Sequence, residues 1–303
     1  MRGVAPGIFK AYDVRGLYGE EMDGEVGHLL GRAFARVLAR LAGVETSALR
    51  VGLGRDMRLT APEMADRVRA GLVDEGAEVI DAGMIGTEML YFLVGSRDLH
   101  GGAMVTASHN PKAWTGVKLV REGALALSGD AGIGDVRAEI EAGMPEAPGG
   151  GSVHEADIYE EFHRHALSFI DPDQVTPRRV VVDGGNGMAG PMVGPLLERL
   201  GLDLVTTYWE PDGEFPDHEP NPLLEENRRF IVQRVRDEGA DLGIAWDGDA
   251  DRCFFIDETG SFVDGDFLTA MLASSILRKS PGADILYDVR ASRAVPDTIT
   301  ARG

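Results

Sequence analysis

The chain has 303 residues, 44% hydrophobic and 26% charged, which is enough apolar side chain to bury a core and excludes a disordered polymer. Its formal net charge of −20 excludes the basic footprint that non-specific nucleic-acid binding needs, though a local cationic pocket can still take a small phosphorylated ligand. The lone cysteine, Cys253, excludes a disulfide framework and a multi-thiolate metal site, and no apolar run is long enough to span a bilayer. The segment Met1 to Gly16 has neither a secretory h-region nor an Arg/Ser-rich transit pattern, so a soluble cytoplasmic protein without a membrane partner is expected. At about 100–200 residues per domain, the length predicts two or three domains.

Apolar residues at helical spacing from Glu25 to Leu41 predict the first helix. Arg50 to Gly54 reads as a short buried strand. Thr60-Ala-Pro-Glu63 then looks like a capping-box helix start, and that helix should end near Gly76. A strand from Ala77 to Asp81, a helix from Thr87 to Gly95 and a strand from Gly102 to Ala107 complete a βαβαβ order, which predicts a mainly parallel sheet covered by helices. Met144 to Val153, rich in Pro and Gly, reads as an interdomain linker. The second α/β unit has a helix over Asp157–Phe169, a strand over Arg179–Asp183, a helix running to Leu200 and a strand over Asp203–Tyr208. After a Pro-rich loop come a helix over Glu225–Glu238, strands over Asp241–Trp246 and Cys253–Asp257, and a helix over Asp264–Leu277. A last strand is expected at Asp284–Val289, and the ending inside a βα unit reads as an incomplete third domain.

Four stretches can carry chemistry. Gly185-Asn-Gly-Met-Ala-Gly190 matches the dinucleotide fingerprint, but neither Asp203 nor Glu210 sits where the supporting acidic residue belongs, so a tight strand-to-helix turn explains it better. Asp247-Gly-Asp-Ala-Asp-Arg252 places carboxylates at alternate positions, and these converge on one hard cation, Mg²⁺ or Ca²⁺, if the backbone turns. An EF-hand is ruled out because its sixth position is Arg252 rather than Gly and its flanks read as strands. Thr106-Ala-Ser-His-Asn-Pro111 sets a hydroxyl, an imidazole and an amide on one turn directly after a strand. An N-cap or an Asn-Pro turn is the plain alternative, and no G-x-S-x-G elbow surrounds Ser108. Only four lysines occur, and two of them, Lys112 and Lys118, lie close by and would suit an anionic group on Ser108. Lys10-Ala-Tyr-Asp-Val-Arg-Gly16 is uninformative alone.

Together these stretches resemble the α-D-phosphohexomutase family, within it the bacterial phosphomannomutase/phosphoglucomutase branch. The resemblance rests on Tyr12-Asp-Val-Arg-Gly16, the Ser108 and Asp247 loops, Gly116-Val-Lys118, and Pro211-Asp-Gly-Glu-Phe-Pro216 with Pro220-Asn-Pro222. It implies an isomerase built of tandem three-layer α/β/α domains with mixed, mainly parallel sheets: domain I over 1–145 with the phosphoserine loop, domain II over 154–258 with the metal loop, and an incomplete domain III over 259–303. It further implies that Ser108 carries the transferred phosphate, and that Asp247, Asp249 and Asp251 hold Mg²⁺ with a phosphoserine oxygen. Arg252 would orient the phosphoserine, and Arg15, His109 and Lys118 would line the reacting centre, Lys118 moving the proton. Hexose 1-phosphate and 6-phosphate, mannose or glucose, would interconvert through a hexose 1,6-bisphosphate.

The family's Gly-Glu-x-Ser-Gly-His sugar loop and its fourth-domain phosphate clamp do not occur, and Arg290 stands where many members have lysine. A catalytically incomplete fragment binding Mg²⁺ and sugar phosphate, and a metal-dependent phosphatase that leaves Ser108 idle, are the alternatives.

Overall fold

A computed structural model describes residues 4–129 and 132–302, so residues 1–3 and 130–131 of the first expected domain and residue 303 of the last lie outside the described residues. In chain order, the first unit comprises β1 (Val14–Leu17), α1 (Gly24–Ala42), β2 (Arg50–Arg55), α2 (Ala61–Asp74), β3 (Glu78–Met84), α3 (Thr87–Ser96) and β4 (Gly101–Val105). It continues with β5 (Trp114–Arg121), β6 (Leu125–Ala126), α4 (Ile133–Ala142) and β7 (Ser152–Glu155). The second comprises α5 (Tyr159–Leu167), β8 (Arg179–Asp183), α6 (Ala189–Arg199), β9 (Asp203–Thr207), α7 (Glu225–Glu238), β10 (Leu242–Trp246), β11 (Cys253–Asp257) and β12 (Phe262–Val263). Two helices, α8 (Gly265–Lys279) and α9 (Ala294–Arg302), follow.

The first sheet runs β1-β5-β4-β2-β3-β7, with β6 beside β5. Its β2, β3, β4 and β7 are mutually parallel, while β5 lies antiparallel to both β4 and β1. The second runs β12-β11-β10-β8-β9, parallel at β9-β8-β10 and antiparallel beyond.

The period-two side-chain alternation of the strands explains how both faces are covered. In β2, Val51 and Leu53 point into a core with α1, α2 and α4. Gly52 and Gly54 point the other way, where an added Cβ would press on Leu93 at 3.2 Å and Ile85 at 2.5 Å, so the glycines let α3 lie close to the sheet. The core under α3 then continues into the second unit, taking in Val180, Val182, Ile244 and Trp246 together with Met188 and Met192. One apolar cluster thus joins the α3 face of the first sheet to one face of the second, and α7 covers the opposite face through Ile231 and Val235.

Helices α1 and α2 touch at backbone level, since a Cβ on Gly31 would lie 2.2 Å from the Val68 carbonyl oxygen and one on Gly71 the same distance from that of His28. Gly31→Ala is therefore expected to destabilise the chain by about 1–3 kcal/mol despite alanine's better helix propensity, read as a lower urea midpoint at unchanged slope.

Three local expectations are corrected, and one strand is added. Thr60 stands at the N-cap position with Pro just inside the helix, but the capping box does not form: its dihedrals are already helical, its side chain makes no capping bond, and Glu63 accepts instead from the Tyr18 hydroxyl. The proposed linker folds back onto the first unit, Gly149 and Gly151 donating to Asp74 and Val73, and ends in β7, an edge strand parallel to β3. The strand Trp114–Arg121 is absent from the sequence reading, because its antiparallel return breaks the βα rhythm. The strand expected at Asp284–Val289 does not form: the segment pairs with no other strand among the described residues, and Leu286 and Val289 are each 97% exposed. A β-pattern without a neighbour has no ladder to join.

Candidate active site

The site lies where the two sheets present neighbouring strand ends. Strand β4 ends at Val105 and the chain turns through Thr106–Pro111 before returning as β5. Ser108 sits in this turn with φ +54°, a left-handed conformation uncommon outside glycine, and its N–H donates to the Thr106 hydroxyl at 2.8 Å. The residue is only 3% exposed. Gly116 lets β1 and β4 close on β5, because a Cβ there would lie 2.5 Å from the Val14 oxygen and 2.9 Å from that of Thr106. That fit fixes the register that delivers Lys118 opposite Met104.

The second half is the tip of the β10–β11 hairpin. Trp246 pairs with Cys253, and residues 247–252 form the loop between them. Ala250, at φ +59°, turns the backbone so that Asp247, Asp249 and Asp251 each present a carboxylate oxygen within 4.8 Å of the others. The loop is held from beneath by the Gly184–Gly187 turn after β8. Asp183 accepts from the Gly185 N–H at 2.9 Å, Met188 donates to the Gly248 carbonyl at 2.9 Å, and a Cβ on Gly187 would meet that carbonyl at 2.6 Å. The glycines of the fingerprint-like stretch serve close packing: Gly190 would strike the Trp209 oxygen at 2.0 Å with any side chain.

The two loops meet at backbone and side chain. A Cβ on Gly248 would lie 2.4 Å from the Ser108 carbonyl oxygen. The Ser108 hydroxyl donates to Asp247 at 2.8 Å and accepts from Arg252 Nη2 at 3.0 Å. Arg252 also donates to Asp247 through Nε at 3.0 Å and contacts His109 Nδ1. Lys118 Nζ lies 2.6 Å from Asp249 and 2.5 Å from Asp251. Arg15 bonds the Asn110 side chain at 2.9 Å and pairs with Asp13, reaching the serine loop through Asn110. All the side chains singled out in the serine and aspartate loops, and Lys118, converge. Lys112 does not join them: it pairs with Glu214 at an exposed position. Arg290 pairs with its own neighbour Asp288 in an exposed turn.

Burial, aided by repulsion from Asp249 and Asp251, pushes the Asp247 carboxyl up to about 7. Burial works the same way on Asp249, but adjacent Lys118 outweighs it and holds this carboxyl below the usual range. Burial opposes the Lys118 ammonium too, yet the two aspartates keep it above the ordinary lysine value. His109 is pushed down to about 4 by burial and by the Arg252 and Arg15 cations, so it is a neutral imidazole at pH 7.

Three participants escaped the sequence reading. Thr87, the first residue of α3, donates its hydroxyl to Asp249 at 2.5 Å and its N–H to the Asp249 carbonyl at 3.2 Å. Its sole sequence signal, a threonine after glycine at a helix start, reads as a cap. Arg58, with Asp56, lies fully buried beneath the serine loop, and an Asp-x-Arg directly after a strand's C-terminal end was the available clue. His218, from the Pro-rich loop, lies 3.1 Å from Asp183 through Nε2 and 2.8 Å from the Glu219 oxygen through Nδ1. Both acceptors are met only by the doubly protonated ring. Burial disfavours that cation, but the Asp183 bond and charge prevail and raise its pKa above the usual 6.5. A raised folded-state pKa stabilises in full below the unfolded value and ceases to do so as pH rises through the folded one. His218→Gln is therefore expected to lose about 1–3 kcal/mol at pH 6 and less at pH 9, measured by denaturant unfolding at both pH values.

Carboxylates suit a hard divalent cation. The fit is supported by Asp249 Oδ1 and Asp251 Oδ1, both buried without a hydrogen-bond partner among the described residues, the latter with Arg252 Nε at 3.5 Å. No helix of the described residues is long and apolar enough to cross a membrane.

Residues 6–145 match the family described as "Phosphoglucomutase/phosphomannomutase, alpha/beta/alpha domain I", and residues 159–260 match its domain II. A "Phosphohexose mutases" protein of Xanthomonas campestris pv. campestris (strain B100) is 42% identical over 287 residues, covering 93% of this chain and 61% of that one. A phosphomannomutase of Escherichia coli K12 is 41% identical over 303 residues, covering 97% and 65%. Among solved structures, a phosphoglucomutase/phosphomannomutase family protein from Burkholderia thailandensis superposes with a TM-score of 0.92 at 32% identity, covering 99% of this chain and 65% of that one. The chain thus spans less than two thirds of the length of these relatives.

Proposed function

The chain belongs to the α-D-phosphohexomutase family, and from that premise we propose that it interconverts hexose 1-phosphate and hexose 6-phosphate, of mannose or glucose, by way of a phosphorylated Ser108 and a hexose 1,6-bisphosphate. The observation that carries the reading is the Ser108 hydroxyl, 2.8 Å from Asp247 and 3.0 Å from Arg252, beside the Lys118–Asp249–Asp251 cluster.

Phosphoryl transfer asks a protein chiefly for alignment and for neutralisation of the equatorial oxygens. Ser108 is the acceptor and donor of the group. Arg252 Nη2 already holds the Ser108 oxygen and would hold a phosphoryl oxygen there. His109, neutral, offers a hydrogen bond without adding charge, and Arg15 steadies the loop through Asn110. Lys118 is the proposed carrier of the proton that leaves or returns to the sugar hydroxyl; its ammonium can give the proton back, and it can take one up only when Asp249 and Asp251, which hold it protonated, are turned to the cation. Asp247, Asp249 and Asp251, with an oxygen of the phosphorylated Ser108, would hold Mg²⁺, whose chemistry there is Lewis-acid stabilisation of phosphoryl charge.

Asp247 is poorly placed to act as the nucleophile of an aspartyl phosphatase, since the same oxygen accepts from both Ser108 and Arg252. The test is incubation of the chain with Mg²⁺ and glucose 1,6-bisphosphate, followed by intact mass and peptide mapping. One phosphoryl group on Ser108, discharged by hexose monophosphate, is expected. Mg²⁺ binding with Ser108 unmodified would overturn the phosphoserine reading for this chain.

A further inference from the structure

We propose that Arg58 is the positioning residue of the serine loop, and that contact with the Pro211–Pro216 loop of the second unit sets its geometry, so that Ser108 is aligned only when the two units are docked. The proposal rests on the phosphoserine reading and deepens it.

Arg58 is 1% exposed, and its guanidinium is spent on backbone oxygens rather than on a ligand. Nη2 donates to the carbonyls of Ser108 at 2.8 Å and Asn110 at 2.7 Å, and Nη1 to those of Pro111 at 3.0 Å and Trp114 at 3.3 Å. Three carbonyls from the serine turn and one from the start of β5 therefore converge on one planar fork, and the first belongs to the residue that would carry the phosphate. A left-handed, non-glycine residue persists only where its surroundings over-determine it, and this fork supplies that restraint. Asp56, completely buried, accepts from the Arg58 N–H at 3.0 Å and lies 3.2 Å from its Nε, fixing the base of the side chain.

The outer face of the guanidinium is closed from the second unit. The Phe215 ring lies under the Arg58 carbon at 5.2 Å, within range of a cation–π contact. Gly213 abuts the Arg58 backbone so closely that a Cβ would lie 2.7 Å from both the Met57 oxygen and the Leu59 nitrogen. Neither Arg58 nor Phe215 touches a reacting atom.

Lysine preserves the charge opposite Asp56 but not the fork, so Arg58→Lys separates positioning from charge balance. The measurements are single-turnover phosphorylation of Ser108 by glucose 1,6-bisphosphate, its dissociation constant by calorimetry, and amide hydrogen exchange at Ser108, Asn110 and Trp114. For Arg58→Lys we expect transfer at least ~100-fold slower, the loss typical of a nucleophile misplaced by about an ångström, with the dissociation constant changed less than ~3-fold and the three amides exchanging faster. Gly213→Ala leaves Arg58 in place and lifts the loop away; it should slow transfer by about 10-fold with the same exchange signature. A folded Arg58→Lys chain with wild-type transfer and exchange would overturn the positioning role. Wild-type behaviour of Gly213→Ala would overturn the coupling to the second unit, and it decides that point even if Arg58→Lys fails to fold. If the wild-type chain takes no phosphoryl group at all, the phosphoserine reading fails instead, while amide exchange still tests the restraint on the loop.

Discussion

Ser108→Ala is expected to take up no phosphoryl group from hexose 1,6-bisphosphate and to lose turnover by at least ~10⁴-fold, since removal of a nucleophile leaves only binding and electrostatic assistance. The fold should survive. The side chain is small, and the loop is held by backbone contacts to Thr106 and Arg58 that alanine keeps. Asp247 and Arg252 would still pair with each other. The Mg²⁺ affinity of the unphosphorylated chain should fall much less than its activity, because three carboxylates remain. Intact mass, mutase assay and calorimetry on one preparation check the three statements. A variant retaining substantial mutase activity would move the phosphoryl carrier elsewhere.

Asp249→Asn should be as damaging by a different route. Asp249 is completely buried, and its Oδ2 receives Lys118 from β5 and Thr87 from α3, joining elements of the first unit to the hairpin of the second. Replacing the anion with an amide leaves Lys118 buried with Asp251 alone and sets an NH₂ group against a donor. Breaking a buried pair in this way costs about 3–5 kcal/mol when nothing relaxes. Mg²⁺ binding should weaken by at least ~100-fold, because one of three clustered carboxylates, with a buried oxygen that makes no hydrogen bond among the described residues, has been removed. Calorimetric titration with Mg²⁺ and denaturant unfolding give the two numbers. Unchanged metal affinity would remove Asp249 from the ligand set.

Much of this site could be read from the chain because its chemistry is local. The aspartates alternate along six residues at a hairpin tip, and Ser108, His109 and Asn110 are consecutive, so short-range spacing already places them together. Arg58 could not be found that way. It follows a strand in a polar run and looks like a solvated side chain, and only the return of the chain fifty residues later as the serine turn surrounds it with carbonyls. The pairing of His218 with Asp183 likewise joins a loop and a strand end that share no pattern. In the fold, βα alternation revealed the parallel strands, whereas β5 and β7 depend on partners supplied by distant segments. The reverse failure occurs at Asp284–Val289, whose short apolar run Ile285-Leu-Tyr287 satisfies a buried-strand pattern but meets no partner among the described residues. Thr60 shows that a capping signature is a statement about four residues, which the preceding turn can override.

The handedness of the backbone at Ser108 bears on which alcohol can be used there at all. With φ at +54°, a branched β-carbon would crowd the following peptide, so a secondary alcohol such as threonine is disfavoured although it carries the same oxygen. Glycine would occupy that dihedral comfortably and has no oxygen to offer. The position therefore selects an unbranched hydroxyl. The stereochemical cost of holding that residue left-handed is met by a turn that also keeps its oxygen facing the aspartates of the neighbouring sheet.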